Sequence, residues 1–179
     1  MNSYPVFETE RLWLRPTNQE DADHLVKIFN APKALQFIGD RKIRTAEDAL
    51  HFIENRVLVQ LRKKGYGNFT TILKSTGDKV GVVGVYHRPG LTHPDLGYAT
   101  LPEFEGRGLT MEAATVMVGL AKTHFGLEAL SGITHPENAV SQKMLTSLGF
   151  AQVGTFEFPD AKWIDLRWEL PLGQSVDKS

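Results

Sequence analysis

Hydrophobic positions along the chain alternate between two spacings, and the changes of spacing mark the elements. Leu12, Trp13, Leu14 and Arg15 run up to Pro16 and read as a short first strand, because proline cannot donate to a ladder and often marks a strand end. Behind Asn18, a candidate cap, Ala22, Leu25, Val26 and Phe29 recur at helical spacing, with Glu20, Asp21 and Asp23 near the positive end of the dipole. No period is sustained from Asn30 to Arg44, which holds Pro32 and Gly39, so a loop with one helical turn at most is expected there. Thr45 to Asp48 resembles a capping box with Asp in place of Glu. Ala49, Phe52, Ile53, Val57 and Leu61 then share one face until Lys63, Lys64 and Gly65 end the helix.

Asn68 to Leu73 and Val80 to Tyr86 flank the turn composition Ser75-Thr76-Gly77-Asp78 and predict a hairpin; Asp95 to Leu101 predicts a third strand stopped by Pro102. Leu109, Ala113, Val116, Met117 and Leu120 form the next helical stripe. Ala114, Val118 and Ala121 make its other side nearly as apolar, so a helix covered on two sides is expected. Ala129 to Thr134 reads as a strand, and Val140, Met144, Leu145 and Leu148 as a short helix closed by Gly149. This strand-helix-strand-helix order suggests a parallel pair at the centre of the sheet. Gln152 to Phe158 and Trp163 to Leu170 make a final hairpin across Pro159 and Asp160.

At 179 residues, with 41% apolar and 23% charged side chains, the chain has material for one core and not for two. Twenty Lys and Arg against 21 Asp and Glu leave a net charge of −1, without the cationic surplus that draws a protein to nucleic acid. There is no cysteine, which removes disulfides, thiol nucleophiles and thiolate metal sites. The six histidines, at 24, 51, 87, 93, 124 and 135, show no metal-ligand spacing, so no metal is expected. Met1 to Pro16 contains no signal-peptide core and no apolar run is long enough to span a membrane. A cytoplasmic protein without membrane association is therefore expected.

Chemistry concentrates between a strand end and a helix start, at Pro102-Glu103-Phe104-Glu105-Gly106-Arg107-Gly108-Leu109-Thr110. Two glycines let the backbone turn so that successive N–H groups point inward, and the helix dipole adds positive potential at the same place. That describes a seat for a diphosphate; a plain strand-to-helix turn uses glycine in the same way. Asn138 and Ser141, three residues apart at a helix start, share a face; they serve as a cap or as a polar pair facing a ligand.

In combination, Asp95-Leu96-Gly97-Tyr98-Ala99-Thr100-Leu101-Pro102, Gly106-Arg107-Gly108 with Glu112-Ala113, Asn138-Ala139-Val140-Ser141 and Leu148-Gly149-Phe150 closely resemble the GNAT superfamily of N-acetyltransferases. The opening Glu8-Thr9-Glu10-Arg11-Leu12-Trp13-Leu14-Arg15 resembles its RimJ/RimL branch. The resemblance implies a single N-acetyltransferase domain over residues 7–170, followed by a flexible tail over 171–179. The fold it implies is α/β (α+β): a mixed, mostly antiparallel sheet with helices on both faces, splayed into a V between Asp95–Leu101 and Ala129–Thr134. Acetyl-CoA would lie in that V as the acetyl donor. By the same resemblance, backbone groups of Ala99, Thr100 and Leu101 would pair with the pantetheine arm. The N–H groups of Gly106, Arg107, Gly108, Leu109 and Thr110 would hold the pyrophosphate, and Asn138 would bind the arm from the far side.

An amine acceptor is almost wholly protonated at neutral pH, so a transferase of this kind must take up a proton. Asp95 is the first candidate base, with a strand-end aspartate as the plainer reading; His135, Glu103 and Glu105 are the alternatives. Where such enzymes frequently carry a tyrosine to protonate the departing sulfur, this chain has Leu145, and Ser141 remains as a hydroxyl able to hydrogen-bond the sulfur. A second departure is Glu103, where Gln or Arg commonly opens the pyrophosphate motif. The expected reaction is acetyl transfer to a primary amine by direct attack in a ternary complex, with a protein N-terminus as the first reading of the acceptor. A small amine (antibiotic, polyamine or amino acid) and an acyl-CoA-binding module with little turnover are the other readings. Monomer and homodimer are both open.

Overall fold

The computed structural model of the chain describes residues 4–173. Its strands are β1 (Phe7–Glu8), β2 (Leu12–Pro16), β3 (Asn68–Leu73), β4 (Lys79–Tyr86), β5 (Asp95–Thr100), β6 (Ala129–Thr134), β7 (Ala151–Phe156) and β8 (Asp165–Pro171). Its helices are α1 (Ala22–Asn30), α2 (Pro32–Phe37), α3 (Ala46–Phe52), α4 (Leu58–Lys64), α5 (Leu109–Thr123) and α6 (Ala139–Ser147). One sheet runs in the order β1-β2-β3-β4-β5-β6-β8-β7. Every neighbouring pair is antiparallel except β5 and β6.

The caps are the ones the side chains dictate. Asn18 and Asp21 form a reciprocal capping box on a single 3₁₀ turn that leads into α1, and Thr45 and Asp48 form another on α3. One π turn over Ile53–Val57 joins α3 to α4, and Gly65, at φ +77°, ends α4 in the left-handed conformation that suits glycine. Segment 30–44 holds more order than its composition signals: Pro32 opens α2, where its missing N–H costs nothing. β1, two residues long, carries too short a pattern to be read from sequence. β8 runs to Pro171, and the Leu172 N–H donates to the Glu128 carbonyl at 2.8 Å. Residues 171 and 172 of the expected tail are therefore tied to the sheet, and 174–179 lie outside the described residues.

Strand alternation sends side chains to two cores. On one face Val82 and Leu101 meet Leu25, Ile28, Ala49 and Ile53 of α1 and the α3–α4 helix. On the other, Val83, Val85, Leu96, Leu130 and Trp168 meet Leu109, Ala113, Met117 and Ala121 of α5, and Leu145 of α6. Of the two apolar sides expected of α5, Ala114 and Ala121 of the second are fully buried together with Leu109, Ala113 and Met117 of the first, while Val118 of the second and Val116 and Leu120 of the first stay half-buried, so the second side is covered in part.

Asp21 fixes α1 to the sheet. Fully buried, it accepts hydrogen bonds from the Arg15 guanidinium at 2.7 and 3.1 Å, the Thr70 hydroxyl at 3.0 Å and the Asn18 N–H at 3.0 Å, and pairs with Lys79 at 2.7 Å. Burial alone would raise its pKa, but the hydrogen bonds from Arg15 and Lys79 outweigh it and hold the group at about 2. Asp21→Ala, which strands two cations, should therefore lower unfolding free energy by about 3–5 kcal/mol in urea titrations. Because the folded pKa lies below the unfolded one, the wild-type contribution is complete above about pH 4 and is lost as pH falls toward 2. The variant should lack that part of the acid limb.

Candidate active site

β5 and β6 share a single register pair, Asp95 with Ser131, where the Ser131 N–H donates to the Pro94 carbonyl at 2.8 Å. Beyond it the strands part. The Leu101 N–H bonds the Val80 carbonyl at 2.9 Å, and the alternation of an antiparallel ladder then turns the backbone of Ala99 and Gly97 toward β4 as well. Tyr98 and Thr100 are left with N–H and C=O directed into the gap. The bond from Leu172 to Glu128 sets the same alternation in β6, so Ile133 faces the gap from the other side. Of the expected trio Ala99, Thr100 and Leu101, only Thr100 thus presents its backbone to the opening. Its partner Tyr98 was missed, because ladder parity depends on a register no local pattern encodes.

The opening leads to the glycine loop. Gly106 and Gly108 sit at φ +71° and +73°, and Gly108 is the N-terminal boundary of α5. Among the described residues no acceptor takes the N–H groups of Gly106, Arg107, Gly108, Leu109, Thr110 or Met111; the Glu112 N–H makes the first helical bond, to the Gly108 carbonyl at 3.1 Å. Six consecutive free donors at the positive end of a fifteen-residue helix suit an anion, and a Cβ built at Gly106 meets nothing within 4 Å. Of the carboxylates here, Glu105 is paired with Lys33 of α2 at 2.6 Å, and Glu103 is exposed.

Across the gap, the Asn138 side-chain oxygen accepts the Ser141 N–H at 3.2 Å, so it caps α6 and only its amide nitrogen is free for a ligand. The Ser141 hydroxyl lies 2.8 Å from the Tyr98 hydroxyl, a link from β5 to α6 across the opening. Burial pushes the Tyr98 phenol up to about 12, so it remains a neutral donor. Leu145, one helical turn further on, is 1% exposed, and its two methyls would lie 2.8 and 3.3 Å from a Cβ at Gly132. It fills core, which explains why no acid stands there.

Asp95 projects from the opposite face of β5, at the closed end of the V. It is 3% exposed; Oδ2 accepts Arg88 Nε at 2.6 Å, while Oδ1 is buried without a partner, as is Ser131 Oγ on the paired residue. Burial raises its pKa against the opposing pull of Arg88 and Arg41. Gly84 and Gly97, paired across β4 and β5, leave room for the Tyr86 ring, whose hydroxyl bonds Asn68. The Arg88 guanidinium lies over the Tyr86 and Phe158 rings. Nearby, His135 accepts the Glu137 N–H at Nδ1 and packs edge-on against Trp163, whose indole donates to Asp165. His135 is a packed loop histidine, and Asp95 is the carboxylate with an oxygen to spare. Among the described residues no cluster of three metal-ligating side chains is found, and no helix is long and apolar enough to cross a membrane.

An acyl thioester of a diphosphate nucleotide fits these features: a free strand edge for an extended amide-bearing arm, free N–H donors for the diphosphate, and hydroxyls at the apex. Comparison with known proteins agrees. The acetyltransferase (GNAT) domain family matches residues 11–151. The uncharacterized N-acetyltransferase YoaA of Bacillus subtilis (strain 168) is 24% identical over 153 residues, covering 84% of this chain and 85% of its own length. RimL, a ribosomal L7/L12 alpha-N-protein acetyltransferase solved with coenzyme A, superposes with a TM-score of 0.77 at 14% identity, over 92% or more of each chain (93% and 98%). A chimera of the Vibrio cholerae spermidine N-acetyltransferase SpeG gives a TM-score of 0.74 at 12% identity, over 90% of this chain and 96% of its own.

A side chain at position 108 would be strained in the left-handed conformation and would relax by moving the loop. Gly108→Val should therefore weaken coenzyme A binding by about tenfold or more in calorimetry while the fold persists by circular dichroism. Unchanged affinity in the folded variant would remove the loop from the site.

Proposed function

Because the chain belongs to the GNAT acetyltransferase family, and so transfers acetyl groups from acetyl-CoA, we propose that its acceptor is the free α-amino group of a protein, as in the RimJ/RimL branch that residues 8–15 resemble. The observation that carries the mechanism is the free, buried Oδ1 of Asp95 at the closed end of the V. Acetyl-CoA supplies a thioester whose carbonyl carbon takes the amine nitrogen and whose sulfur departs with the bonding pair. The chain does the rest. Asp95, raised by burial, accepts the proton that the amine gives up, directly or through water. The backbone of Tyr98 and Thr100 aligns the donor arm, Gly106 to Thr110 hold the diphosphate, and the Asn138 amide nitrogen takes a carbonyl of the arm. Ser141 hydrogen-bonds the departing sulfur; its hydroxyl is too weak an acid to be a full proton source.

Charge supports a singly charged acceptor. Arg41 and Arg88 both act on Asp95, so the second and third ammonium groups of a polyamine would meet like charge where the first must dock. An α-amino group flanked by neutral or acidic residues meets no such opposition. The Phe158 ring against Arg88 and the Trp163 ring against His135, both part-exposed, offer apolar surface to a peptide's first side chains.

Thiol release from acetyl-CoA should accordingly be fast with peptides bearing a free N-terminus, and absent with the same peptides N-acetylated. Faster turnover of spermidine than of every peptide in the panel would overturn the acceptor assignment. Asp95→Asn should lower kcat by about 10²–10⁴-fold with little change in coenzyme A affinity. In the wild type, kcat should fall as pH drops through a value above the ordinary carboxylate range, since the base must be ionised. That limb should vanish in Asp95→Asn, and its survival would show that another group accepts the proton. Ser141→Ala should cost no more than about tenfold in kcat, the scale of one hydrogen bond.

A further inference from the structure

The first strands of the chain reach the diphosphate loop through one side chain. In the turn between β1 and β2, the Thr9 hydroxyl donates to Glu112 on the first turn of α5, and the Arg11 N–H donates to the same oxygen at 2.7 Å. Arg11 Nε donates to the second Glu112 oxygen at 2.6 Å, and its Nη1 donates to the backbone carbonyl of Arg107 at 3.0 Å. A Cβ built on Gly108 would lie 3.5 Å from the other Arg11 amino group. The guanidinium thus spans the helix start and the loop, more than ninety positions away in sequence (|i−j| of 101 and 96).

The consequence follows from the geometry of a trans peptide, in which C=O and the next N–H point in opposite directions. With the Arg107 carbonyl held toward Arg11, the Gly108 N–H must point to the other side, together with the free donors that follow it. Without that tie, a loop with two left-handed glycines has little to fix the plane of this peptide, since glycine readily adopts other conformations. Glu112 offsets the charge of Arg11, so the contribution is one of orientation more than of added positive potential.

We infer that Arg11 is a positioning residue for donor binding: by anchoring the Arg107 carbonyl to Glu112 it holds the loop N–H groups in the pose that receives the diphosphate. This rests on the diphosphate seat proposed above. It also assigns a role to the Thr9-Glu10-Arg11 segment, which lies at the opposite end of the chain from the donor motifs.

The test compares two donors, acetyl-CoA and S-acetylpantetheine, which has the same thioester and arm but no diphosphate. Wild-type kcat/KM should be much higher with acetyl-CoA. Arg11→Ala should lower kcat/KM for acetyl-CoA by about ten- to a hundredfold, through KM, and leave S-acetylpantetheine within about twofold of wild type. Arg11→Lys, which keeps the charge but has no fork to span Glu112 and Arg107, should not restore it. Equal losses on both donors would mark a general structural role, full rescue by lysine would mark a charge effect, and no loss would leave Arg11 idle; each outcome overturns the inference while the wild-type preference for acetyl-CoA stands. A wild type that uses both donors equally would take away the seat itself, and this role with it.

Discussion

The site depends on a hydrogen-bond deficit in the middle of the sheet. Adjacent strands normally satisfy each other's backbone groups, and buried N–H and C=O groups left unpaired are costly. β5 and β6 pair only at Asp95 and Ser131 and then diverge, so Tyr98, Thr100 and Ile133 present polar backbone to a gap that the chain does not fill. An extended ligand carrying amides can complete that ladder as a missing strand would. In the proposed pose, the diphosphate of such a ligand meets the six free donors ahead of α5.

The rest of the molecule holds this gap open and gives its two faces different chemistry. α5 and α6 pack beneath one face and bring Ser141 to Tyr98; α1 and the α3–α4 helix cover the other, at whose edge Asp95 lies with a free oxygen. In the function proposed here, donor and acceptor approach from different sides of β5, and the amine attacks the thioester directly, without a covalent enzyme intermediate.

What could be read from the sequence was local. The cap at Asn18, the capping box at Thr45, the glycine loop and the cap at Asn138 each depend on residues within a few positions of one another, so their side chains carried the signal. The sheet splayed at a parallel pair followed from element order combined with family resemblance. Contacts between distant parts of the chain carried no such signal. The ladder parity that puts Tyr98 in the gap in place of Ala99 and Leu101, the pairing of Asp95 with Arg88, and the reach of Arg11 to Arg107 all arise from register and folding. Leu145 shows the converse: at the position where a tyrosine is frequent it looked like a missing acid, and its burial against Gly132 makes it a packing residue.

Amide hydrogen exchange followed by NMR, with and without coenzyme A, reads the open ladder itself. The amides of Tyr98, Thr100 and Gly106 to Met111 should become strongly protected on binding, while those of Ala99 and Leu101, already bonded within the sheet, change little. Protection that leaves Tyr98 and Thr100 untouched, or binding that protects some other surface, would contradict it.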